Sequence, residues 1–305
     1  MPTLLAERML QHESLARYTA ARLGGPADWL YVAKDSIEEL VEVVKNAWDE
    51  GMPVRVLGGG ANVLISDRGV RGLVVINDVS EMPTFGQWHG GRNVAAASGT
   101  GLTVLARKCQ SNGLSGLEWA VSVPGTVGGA VVNNAGAHGS DMAASLIEAV
   151  VLDAERGPRL MTLADLDYGY RHSSLKARED RRFLVLMATF ALKPDDPDAI
   201  QTRMDEMIAY RKRTQPPGAS LGSIFKNPPG DYAGRLIEAS ELKGYTIGGA
   251  QVSPIHANFF INTGGATASD YYALIHHVQD VVAEKMAVRL ELEIELMGDW
   301  QPAGP

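Results

Sequence analysis

The chain has 305 residues, of which 45% are hydrophobic and 21% are charged, as is typical of a globular protein with a substantial core. Its net charge of −8 argues against a general nucleic-acid-binding protein, because such proteins carry a basic face. A single cysteine, Cys109, excludes a disulfide framework and a cysteine-based metal site. No apolar run of about 18 residues predicts a membrane span, and residues 1–18 mix charges with apolar positions, unlike a signal peptide. These features favour a cytoplasmic enzyme or binding protein.

The first elements in chain order are predicted to be a strand, a helix and a second strand. Residues 29–33 read WLYVA and predict a strand. Ser36 and Glu39 have the spacing of a capping box, and apolar residues then follow at helical intervals. The strand VRVL at 54–57 leads directly into the glycine-rich turn GGGAN at 58–62. We interpret this region as a βαβ-like unit that ends in a glycine loop.

The middle of the chain alternates strand-like runs with a helix and a second glycine-rich stretch. The runs LVVI, NVAAAS, AVVLDA, RLMTL and RFLVLMATFAL predict strands, and a helix is predicted at about 103–112. The stretch 123–139 reads VPGTVGGAVVNNAGAHG, with five glycines among seventeen residues. Glycine destabilises helices and strands by roughly 0.5–1 kcal/mol relative to alanine. The stretch therefore indicates either tight turns or a ligand that needs bare backbone amides.

The last third of the chain also mixes helices and strands. The predicted elements are a helix at about 199–213, the loop SLGSIFKNPPG at 220–230, a helix at about 231–243, a strand near HANFFIN, and a helix at about 269–286. The final run RLELEIELM alternates strictly, so it predicts a strand with leucine and isoleucine on one side and Glu291, Glu293 and Glu295 on the other. Together these elements predict an α+β fold.

The two glycine loops are candidates for binding an anionic group. Neither has the G-x-G-x-x-G spacing or the Lys-Ser/Thr of a P-loop, but bare amides in such turns form anion-binding concavities. One loop would be explained as a tight turn, whereas two favour a cofactor that contains a diphosphate. The candidate residues are Gly58, Gly59, Gly60, Ala61, Asn62, Val63 and Leu64, and then Pro124, Gly125, Thr126, Gly128, Gly129, Asn134, Ala135 and Gly136.

Several polar residues have both a functional and a structural interpretation. Arg171 in YGYRHS has the fork geometry that binds a carboxylate, but composition alone favours an ordinary surface arginine. Ser223 in GSIFKNP either presents its hydroxyl to a ligand or caps a helix, although Pro228 prevents a helix directly after it. Lys226 and the basic group at 211–213 suit an anionic substrate, or the end of a helix. The seven histidines lack metal-ligand spacing, so no metal site is predicted.

Six segments, in this order, resemble the UDP-N-acetylenolpyruvoylglucosamine reductase (MurB) family, flavoenzymes of peptidoglycan (cell wall) biosynthesis. They are LGGGANVLISD, SGLEWAVSVPGTVGGAVVNNAGAHG, YGYRHS, QPPGASLGSIFKNPPGDYAGRLIE, LKGYTIGGAQVSPIHANFFIN and LELEIELMG, within Tyr18 to Gly298. The resemblance implies an FAD-binding domain of the vanillyl-alcohol-oxidase type in two subdomains, 1–70 and 71–198. It implies a C-terminal UDP-sugar-binding domain at 199–305.

The resemblance also implies the chemistry. NADPH reduces a non-covalently bound FAD and leaves, and UDP-N-acetylglucosamine enolpyruvate then enters the same cleft. Reduced flavin N5 passes a hydride to the vinyl carbon, and Ser223 matches the family's general acid, which completes UDP-N-acetylmuramate. Arg171 and Glu293 match the residues that orient and polarise the enolpyruvyl carboxylate. Arg213, Lys226 and Asn227 are expected to bind the UDP-sugar. The protein is expected to be a monomer with no nucleic-acid or membrane partner.

This chain departs from the usual pattern of the family at a few positions. Ala61 stands where serine is common, His138 where tyrosine is common, and Asn133 where methionine is usual. Glu295 occupies a position, two residues after Glu293, where a basic residue is common. The short connection before the helix at 199 resembles the subtype of the family that lacks a tyrosine-bearing lid.

Two other functions stay open from the sequence. A different oxidase or dehydrogenase of the same flavin fold could tether FAD covalently through His138, and release of free FAD on denaturation would distinguish it. A flavin-binding or nucleotide-sugar-binding module without catalysis would not need Arg171, Ser223 and Glu293 to act together. For such a module, Ser223→Ala should leave any turnover unchanged.

Overall fold

Strands and short helices alternate along the computed structural model, which describes residues 7–88 and 91–300. The strands are β1 Leu10–Ser14, β2 Pro26–Ala33, β3 Val54–Leu57, β4 Val63–Ile65, β5 Val70–Asn77, β6 Thr84–Trp88, β7 Gly91–Ala97, β8 Leu114–Ser115, β9 Gly136–Ala137, β10 Ser140–Asp141, β11 Leu146–Asp153, β12 Gly157–Thr162, β13 Phe183–Pro194, β14 Ala219–Ser223, β15 Thr246–Ile247, β16 Ala250–Val252, β17 Phe259–Asn262 and β18 Glu295–Met297. The helices are α1 Ile37–Asp49, α2 Leu102–Ser111, α3 Val127–Asn133, α4 Leu163–Leu166, α5 Pro197–Thr214, α6 Ala233–Ala239 and α7 Ala268–Met286. Within the described ranges, no helix is long and apolar enough to cross a membrane.

These elements form two compact units that interleave along the chain. Unit 1 contains the described residues of Met1–Met9, Leu30–Gly59 and Gly72–Arg211, and unit 2 contains those of Leu10–Trp29, Gly60–Arg71 and Lys212–Pro305. The predicted three-part division at 1–70, 71–198 and 199–305 stays a prediction.

Unit 1 is built on an antiparallel sheet in the order β12-β11-β13-β7-β6, with β8 paired to the end of β13. The long central strand β13 is buried along most of its length because it has a partner on both sides. Helices α2, α3 and α5 pack apolar side chains against this sheet. The core includes Val94, Leu105, Val127, Ala149, Phe190, Ile200 and Met204. The predicted inner face of the helix at 199–213 is thereby confirmed.

Unit 2 is built on a second sheet, in the order β14-β17-β16-β15, which packs against α6 and α7. Helix α7 begins with a reciprocal capping box between Thr267 and Asp270. A separate parallel pair joins β18 to β4, with Glu295 opposite Val63. The core includes Leu64, Phe225, Phe260, Tyr271, Leu274 and Ile294. Unit 2 thus brings the strand after the first glycine loop beside the segment that follows Glu293.

The N-terminal elements differ from the prediction in two details. The Ser36 hydroxyl accepts the Glu39 amide at 3.1 Å, as expected, but the Glu39 carboxylate binds the amides of Lys34 and Asp35 instead of completing a capping box. The carboxylate turns away because Tyr31 also donates to it, at 2.6 Å. The βαβ-like unit is interrupted as well, since β5 lies between β2 and β3 in the sheet.

One element was not predicted, and two further predictions were wrong in extent. The glycine stretch at 123–139 contains a helix, α3, because Val127, Ala130 and Val131 are buried on one face. The helix predicted at about 231–243 ends at Ala239, where Ser240 is the C-cap and Glu241 takes a left-handed φ of 64°. The predicted final strand is a strand only at β18, because the chain bends at residues 293 and 294.

Candidate active site

The two glycine loops touch each other within unit 1. A Cβ atom on Gly58 would lie 2.1 Å from Thr126 Oγ1, and one on Gly59 would lie 3.0 Å from the Cα atom of Gly125. Real side chains do not fit at these distances, so the approach requires glycine on the first loop. The two loops therefore lie in close contact, with Gly58 against the Thr126 side chain and Gly59 against the Gly125 backbone.

The start of α3 uses most of its backbone amides within the protein. The side chain of its N-cap residue, Thr126, makes no capping hydrogen bond. The amides of Val127 and Gly128 donate to the carbonyls of Thr100 and Ser98, whereas Gly129 is exposed and a Cβ there would meet only Thr126 Oγ1, at 3.8 Å. A helix N-terminus favours anions, and at α3 the amide of the exposed Gly129 is the candidate donor.

A buried hydroxyl beside the second loop supports the same interpretation. Ser122 Oγ lies two residues before Pro124, is shielded from solvent, and has no hydrogen-bond partner within residues 7–88 and 91–300. Buried polar atoms are normally satisfied by a partner. A bare cradle, an uncapped helix start and an unsatisfied hydroxyl together fit the diphosphate of a dinucleotide cofactor.

The remainder of the first loop belongs to unit 2. Gly60 has a φ of 57°, and a Cβ on it would lie 2.0 Å from the Tyr18 carbonyl oxygen, so glycine is required for packing. Val63 and Leu64 are buried in β4, so their side chains are core residues and only their backbone is available to a ligand. The half-buried Ala61 lies in the turn between Gly60 and β4.

Arg171 stands in a tight turn that lies against the C-terminal end of α3. Its backbone is left-handed, with a φ of 53°, and Gly169 and His172 exchange backbone hydrogen bonds around it. Its guanidinium donates to the carbonyls of Asn134 at 3.3 Å and Gly136 at 2.7 Å. These two bonds fix the plane of the guanidinium.

Asn134 holds this turn from the other side. It is 2% exposed and ends α3 in a left-handed conformation. Its Nδ2 donates to the Gly169 carbonyl at 2.9 Å and to Asp141 Oδ2 at 3.3 Å, and its Oδ1 accepts the Ala143 amide at 3.1 Å. The predicted cofactor residue Asn134 therefore commits its side chain to the protein. Its backbone is bonded as well, since its amide donates to the Ala130 carbonyl and its carbonyl accepts the Arg171 guanidinium.

The neighbouring candidates Ala135 and Gly136 are also shaped by local packing. The Ala135 amide donates to the Ala130 carbonyl at 3.0 Å and closes the helix end. A Cβ on Gly136 would meet the Ser140 carbonyl oxygen at 2.5 Å, because β9 and β10 form a tight hairpin. Glycine is needed there for the hairpin itself.

His138 lies beside α5 within unit 1. Its ring meets the Tyr210 ring edge-on, with centroids 5.8 Å apart, and its Nε2 atom is buried without a hydrogen-bond partner among the described residues. Burial, and then the charge of Arg211, lower the pKa of His138 below its ordinary value. The imidazole is therefore neutral near pH 7. Within the described part of the chain, no cluster of His, Cys, Asp and Glu side chains is arranged to hold a metal ion.

In unit 2, Ser223 ends β14 just after a β-bulge. Ser220 pairs with Ile261 and Ser223 pairs with Phe259, so three residues on β14 oppose two on β17. Gly222 makes this possible with a left-handed φ of 75° in open space. Because side chains alternate along a strand, the extra residue changes the face on which Ser223 projects.

Glu293 is tied to the segment that follows Ser223. Its amide donates to the Ile224 carbonyl at 2.8 Å. Its own carbonyl accepts Nδ2 of Asn62 at 3.2 Å, and the Glu295 amide donates to the Asn62 carbonyl at 2.9 Å. Unit 2 thus brings together Ser223, Glu293 and the end of the first glycine loop.

The predicted substrate-binding residues of unit 2 follow directly along the chain. The Lys226 amide donates to the Glu291 carbonyl at 2.8 Å, and its ammonium lies 3.5 Å from the Glu291 carboxylate. Asn227 Oδ1 accepts the amide of Ala233 at 3.1 Å and so caps α6. Arg213 is exposed in the last turn of α5. Lys226 therefore stands beside the strand-like segment that carries Glu293.

Sequence reasoning missed the residues that hold these segments. Asn258 is 3% exposed and binds Phe225 through both atoms of its side-chain amide. Tyr168 and Ser173 donate to the carbonyls of Val131 and Val132 at 2.7 and 2.5 Å. The available signal was a polar residue inside an apolar run, as in HANFFIN, because buried polar side chains need partners.

Comparison with known proteins agrees with this geometry. A family model described as "FAD binding domain" matches residues 30–157, and a model described as "UDP-N-acetylenolpyruvoylglucosamine reductase, C-terminal domain" matches residues 214–297. The fold and the glycine cradle therefore define a flavoprotein oxidoreductase. The predicted α+β fold class and the FAD cofactor are confirmed.

Relatives specify the family. The UDP-N-acetylenolpyruvoylglucosamine reductase of Levilactobacillus brevis is 42% identical over 96% of this chain and 94% of its own length. The Rubrobacter xylanophilus protein of the same name is 44% identical, over 94% of each chain. A crystal structure of the Thermus caldophilus enzyme superposes with a TM-score of 0.79 at 34% identity, over 95% of this chain and 98% of that one. The chain belongs to the UDP-N-acetylenolpyruvoylglucosamine reductase family, and the resemblance of the six segments is confirmed.

Proposed function

We propose that this protein catalyses the NADPH-linked, FAD-dependent reduction of UDP-N-acetylglucosamine enolpyruvate to UDP-N-acetylmuramate in peptidoglycan synthesis. Membership of the reductase family supports the reaction. The structural observation that carries the proposal is the arrangement in unit 2, where Ser223, Glu293 and Asn62 stand on three hydrogen-bonded segments. A proton donor, a carboxylate and a cofactor loop are thereby joined by backbone.

Bare backbone is proposed to hold the cofactor. FAD, when bound, accepts a hydride from NADPH and supplies it to the substrate. In unit 1 its diphosphate is proposed to lie on the two touching loops and beside the exposed Gly129 near the start of α3, where the helix favours negative charge. The residues are Gly58, Gly59, Pro124, Gly125, Thr126, Gly128, Gly129, Asn134, Ala135 and Gly136 in unit 1, and Gly60, Ala61, Asn62, Val63 and Leu64 in unit 2.

Ser223 is proposed to hold the proton that the reduced substrate receives. A free serine hydroxyl is far too weak an acid to give up a proton at neutral pH. The rate of proton transfer must therefore depend largely on how the hydroxyl is positioned. The bulge at Gly222 sets the face on which Ser223 projects, and the adjacent pairing with Phe259 fixes its backbone. Glu293 and Arg171 are proposed to orient and polarise the enolpyruvyl carboxylate, where charge develops in the transition state.

Cations are proposed to hold the phosphates of the UDP-sugar. The chain carries a net charge of −8, so a dianionic diphosphate needs local positive groups to bind. Lys226 and Arg213 supply them, and Asn227 adds an amide at the same segment. The protein is further proposed to act as a cytoplasmic monomer without a nucleic-acid partner.

The two half-reactions provide the test. In Ser223→Ala, we expect NADPH to bleach the flavin at the wild-type rate, because reduction of the flavin needs no proton from this residue. Reoxidation by the enolpyruvyl sugar should slow by roughly 10²–10⁴-fold, the usual contribution of a general acid. Stopped-flow absorbance of the flavin under anaerobic conditions measures both rates.

Ser220→Ala is the matched control. Ser220 lies on the same strand, opposite Ile261, but before the bulge. We expect both half-reactions of this variant to stay within about twofold of wild type. Equal slowing of the two half-reactions in Ser223→Ala, or no slowing of either, would contradict the role of Ser223 as the proton donor.

A further inference from the structure

Asn258 is buried directly before β17, and its side-chain amide forms the hydrogen bonds that the backbone of a neighbouring strand would form. Its Oδ1 accepts the Phe225 amide at 3.0 Å, and its Nδ2 donates to the Phe225 carbonyl at 2.8 Å. Both bonds thus go to the peptide groups of one residue. The Phe225 N–H can only donate, so this pattern also determines which way the side-chain amide points.

The contact continues the sheet at the point where the backbone ladder stops. The β14–β17 pairing ends with Ser223 opposite Phe259, and the Ile224 amide still reaches the Asn258 carbonyl at 2.9 Å. Beyond that point the Asn258 side chain reaches across to Phe225. On its other flank, Phe225 forms an isolated bridge with Leu292. The segment is therefore held from both sides at a single residue.

Phe225 stands in the middle of the proposed functional segment. Ser223 precedes it by two positions, and Lys226 and Asn227 follow it immediately. Fixing the Phe225 peptide therefore fixes the proton donor on one side and the proposed substrate-binding residues on the other. Ile224 and Phe225 are both fully buried, so the clamp operates in a region without water to replace its hydrogen bonds.

We propose that Asn258 is a positioning residue for the reduction of the UDP-sugar, acting through the peptide of Phe225 to set the placement of Ser223. This inference rests on the function proposed above. A displacement of about 1 Å at a reacting group can lower a rate by roughly 10²-fold. Loss of the clamp should therefore slow the step that uses Ser223 without affecting the step that does not.

Asn258→Ala tests this inference in the holoenzyme, with Asn262→Ala as the matched control. Asn262 lies on β17 and likewise uses its side chain on backbone groups, accepting the Gly264 amide and donating to the Ala21 carbonyl, both at 3.0 Å. In Asn258→Ala, flavin reduction by NADPH should stay within about twofold of wild type, and reoxidation by saturating UDP-sugar should slow by roughly 10–100-fold. In Asn262→Ala, both half-reactions should stay within about twofold of wild type.

A second variant distinguishes positioning from general destabilisation and serves if Asn258→Ala does not fold. Asn258→Asp keeps the acceptor for the Phe225 amide and loses the donor to the Phe225 carbonyl, unless the new carboxyl is protonated. Relative to wild type, its reoxidation rate should therefore recover as the pH is lowered. A ratio of the two rates that does not change with pH would overturn the inference.

The Ser223→Ala background separates failure of this inference from failure of the proposed function. If Asn258 acts through Ser223, adding Asn258→Ala to Ser223→Ala should slow reoxidation at saturating sugar by less than about twofold further. If Ser223→Ala alone leaves reoxidation unchanged, the proposed proton donor is wrong. If Ser223→Ala slows reoxidation but Asn258→Ala slows both half-reactions equally, or neither, the function stands and the positioning role is wrong.

Discussion

The two units hold their candidate catalytic side chains by different means. In unit 1, Arg171 lies in a turn whose side chains satisfy the carbonyls at the end of α3. In unit 2, Ser223 lies at the end of a strand, and its position follows from sheet register. Each arrangement includes a nearly buried asparagine, Asn134 in the first and Asn258 in the second. The two asparagines therefore offer a direct comparison.

Unit 1 accepts backbone strain at residues that carry side chains. Asn134, His138 and Arg171 all have a positive φ, between 43° and 54°. Left-handed backbone costs an ordinary residue roughly 1–2 kcal/mol. The last carbonyls of a helix lack internal partners, and here Tyr168 and Ser173 satisfy those of Val131 and Val132. The strained residues Asn134 and Arg171 form the hydrogen bonds that join this turn to the end of α3.

Beside Ser223, in unit 2, the left-handed backbone is placed at a glycine and the hydrogen bonds come from another residue. Gly222 provides the bulge without a steric cost, and Asn258, from a different strand, provides the clamp. Backbone conformation and hydrogen bonding are thus assigned to separate residues. A single substitution at Asn134 should therefore remove both contributions together, whereas a substitution at Gly222 or Asn258 should remove only one.

The largest expected effect is that of Asn134→Ala. This change removes three hydrogen bonds of a buried side chain and leaves an alanine at a φ of 43°. We expect the free energy of unfolding to fall by about 3–4 kcal/mol, as measured by urea denaturation. Asn134→Gly keeps the backbone relaxed and should recover about 1 kcal/mol of that loss. Equal stability of the two variants would show that strain is absent from this position.

Local periodicity predicted the elements that pack through one face. The spacing of Ile200, Met204, Met207 and Ile208 predicted the inner face of α5, and the structure buries or packs all four against the core of unit 1. Such a face is readable from sequence because neighbours at three or four positions share one side of a helix. No knowledge of the partner is needed.

Elements defined by distant partners were not readable in this way. Glycines at 128 and 129 disfavour a helix, yet α3 forms because Val127 and Val131 are buried in the core. Leucine and glutamate alternate before β18 as in a strand. The backbone of Glu293, however, is hydrogen-bonded to Ile224 and Asn62, which are remote in sequence. Tertiary contacts override local propensity in both cases. The clamp by Asn258 was missed for the same reason.

Gly222→Ala should have an intermediate effect, limited to backbone conformation. No atom lies within 4 Å of the position that a Cβ would take, so the cost is that of placing alanine at a φ of 75°. We expect a loss of about 1–2 kcal/mol in the free energy of unfolding, together with slower flavin reoxidation, because relaxation of the bulge would turn Ser223 towards the other face.

Gly244→Ala provides the control for this prediction. Gly244 has a φ of 79°, also with no atom within 4 Å, but it lies outside the β14–β17 pairing. Its loss of stability should match that of Gly222→Ala, while its reoxidation rate stays at the wild-type value. Similar reoxidation rates in both variants would show that the bulge does not direct Ser223.

The smallest expected effect concerns the contribution of one ion pair in each unit to stability at acidic pH. In unit 1, the Glu118 carboxylate is 10% exposed beside Arg203, whereas in unit 2 the Glu291 carboxylate beside Lys226 is 78% exposed. Burial would raise the pKa of Glu118, but hydrogen bonds from Arg203, Ser115 and the Gly116 amide outweigh it and hold the pKa below its ordinary value.

A lowered pKa in the folded state stabilises the protein at neutral pH, and this stabilisation is lost as the pH falls below the unfolded value of about 4.3 towards the folded value. We therefore expect the difference in free energy of unfolding between wild type and Glu118→Gln, measured by urea denaturation, to decrease as the pH falls. The decrease should be about 1.4 kcal/mol for each unit by which the pKa is lowered. Glu291→Gln should change the free energy of unfolding little, because exposed ion pairs contribute little. If the two proteins differ by the same free energy of unfolding from about pH 7 to about pH 3, the charge of Glu118 does not stabilise unit 1.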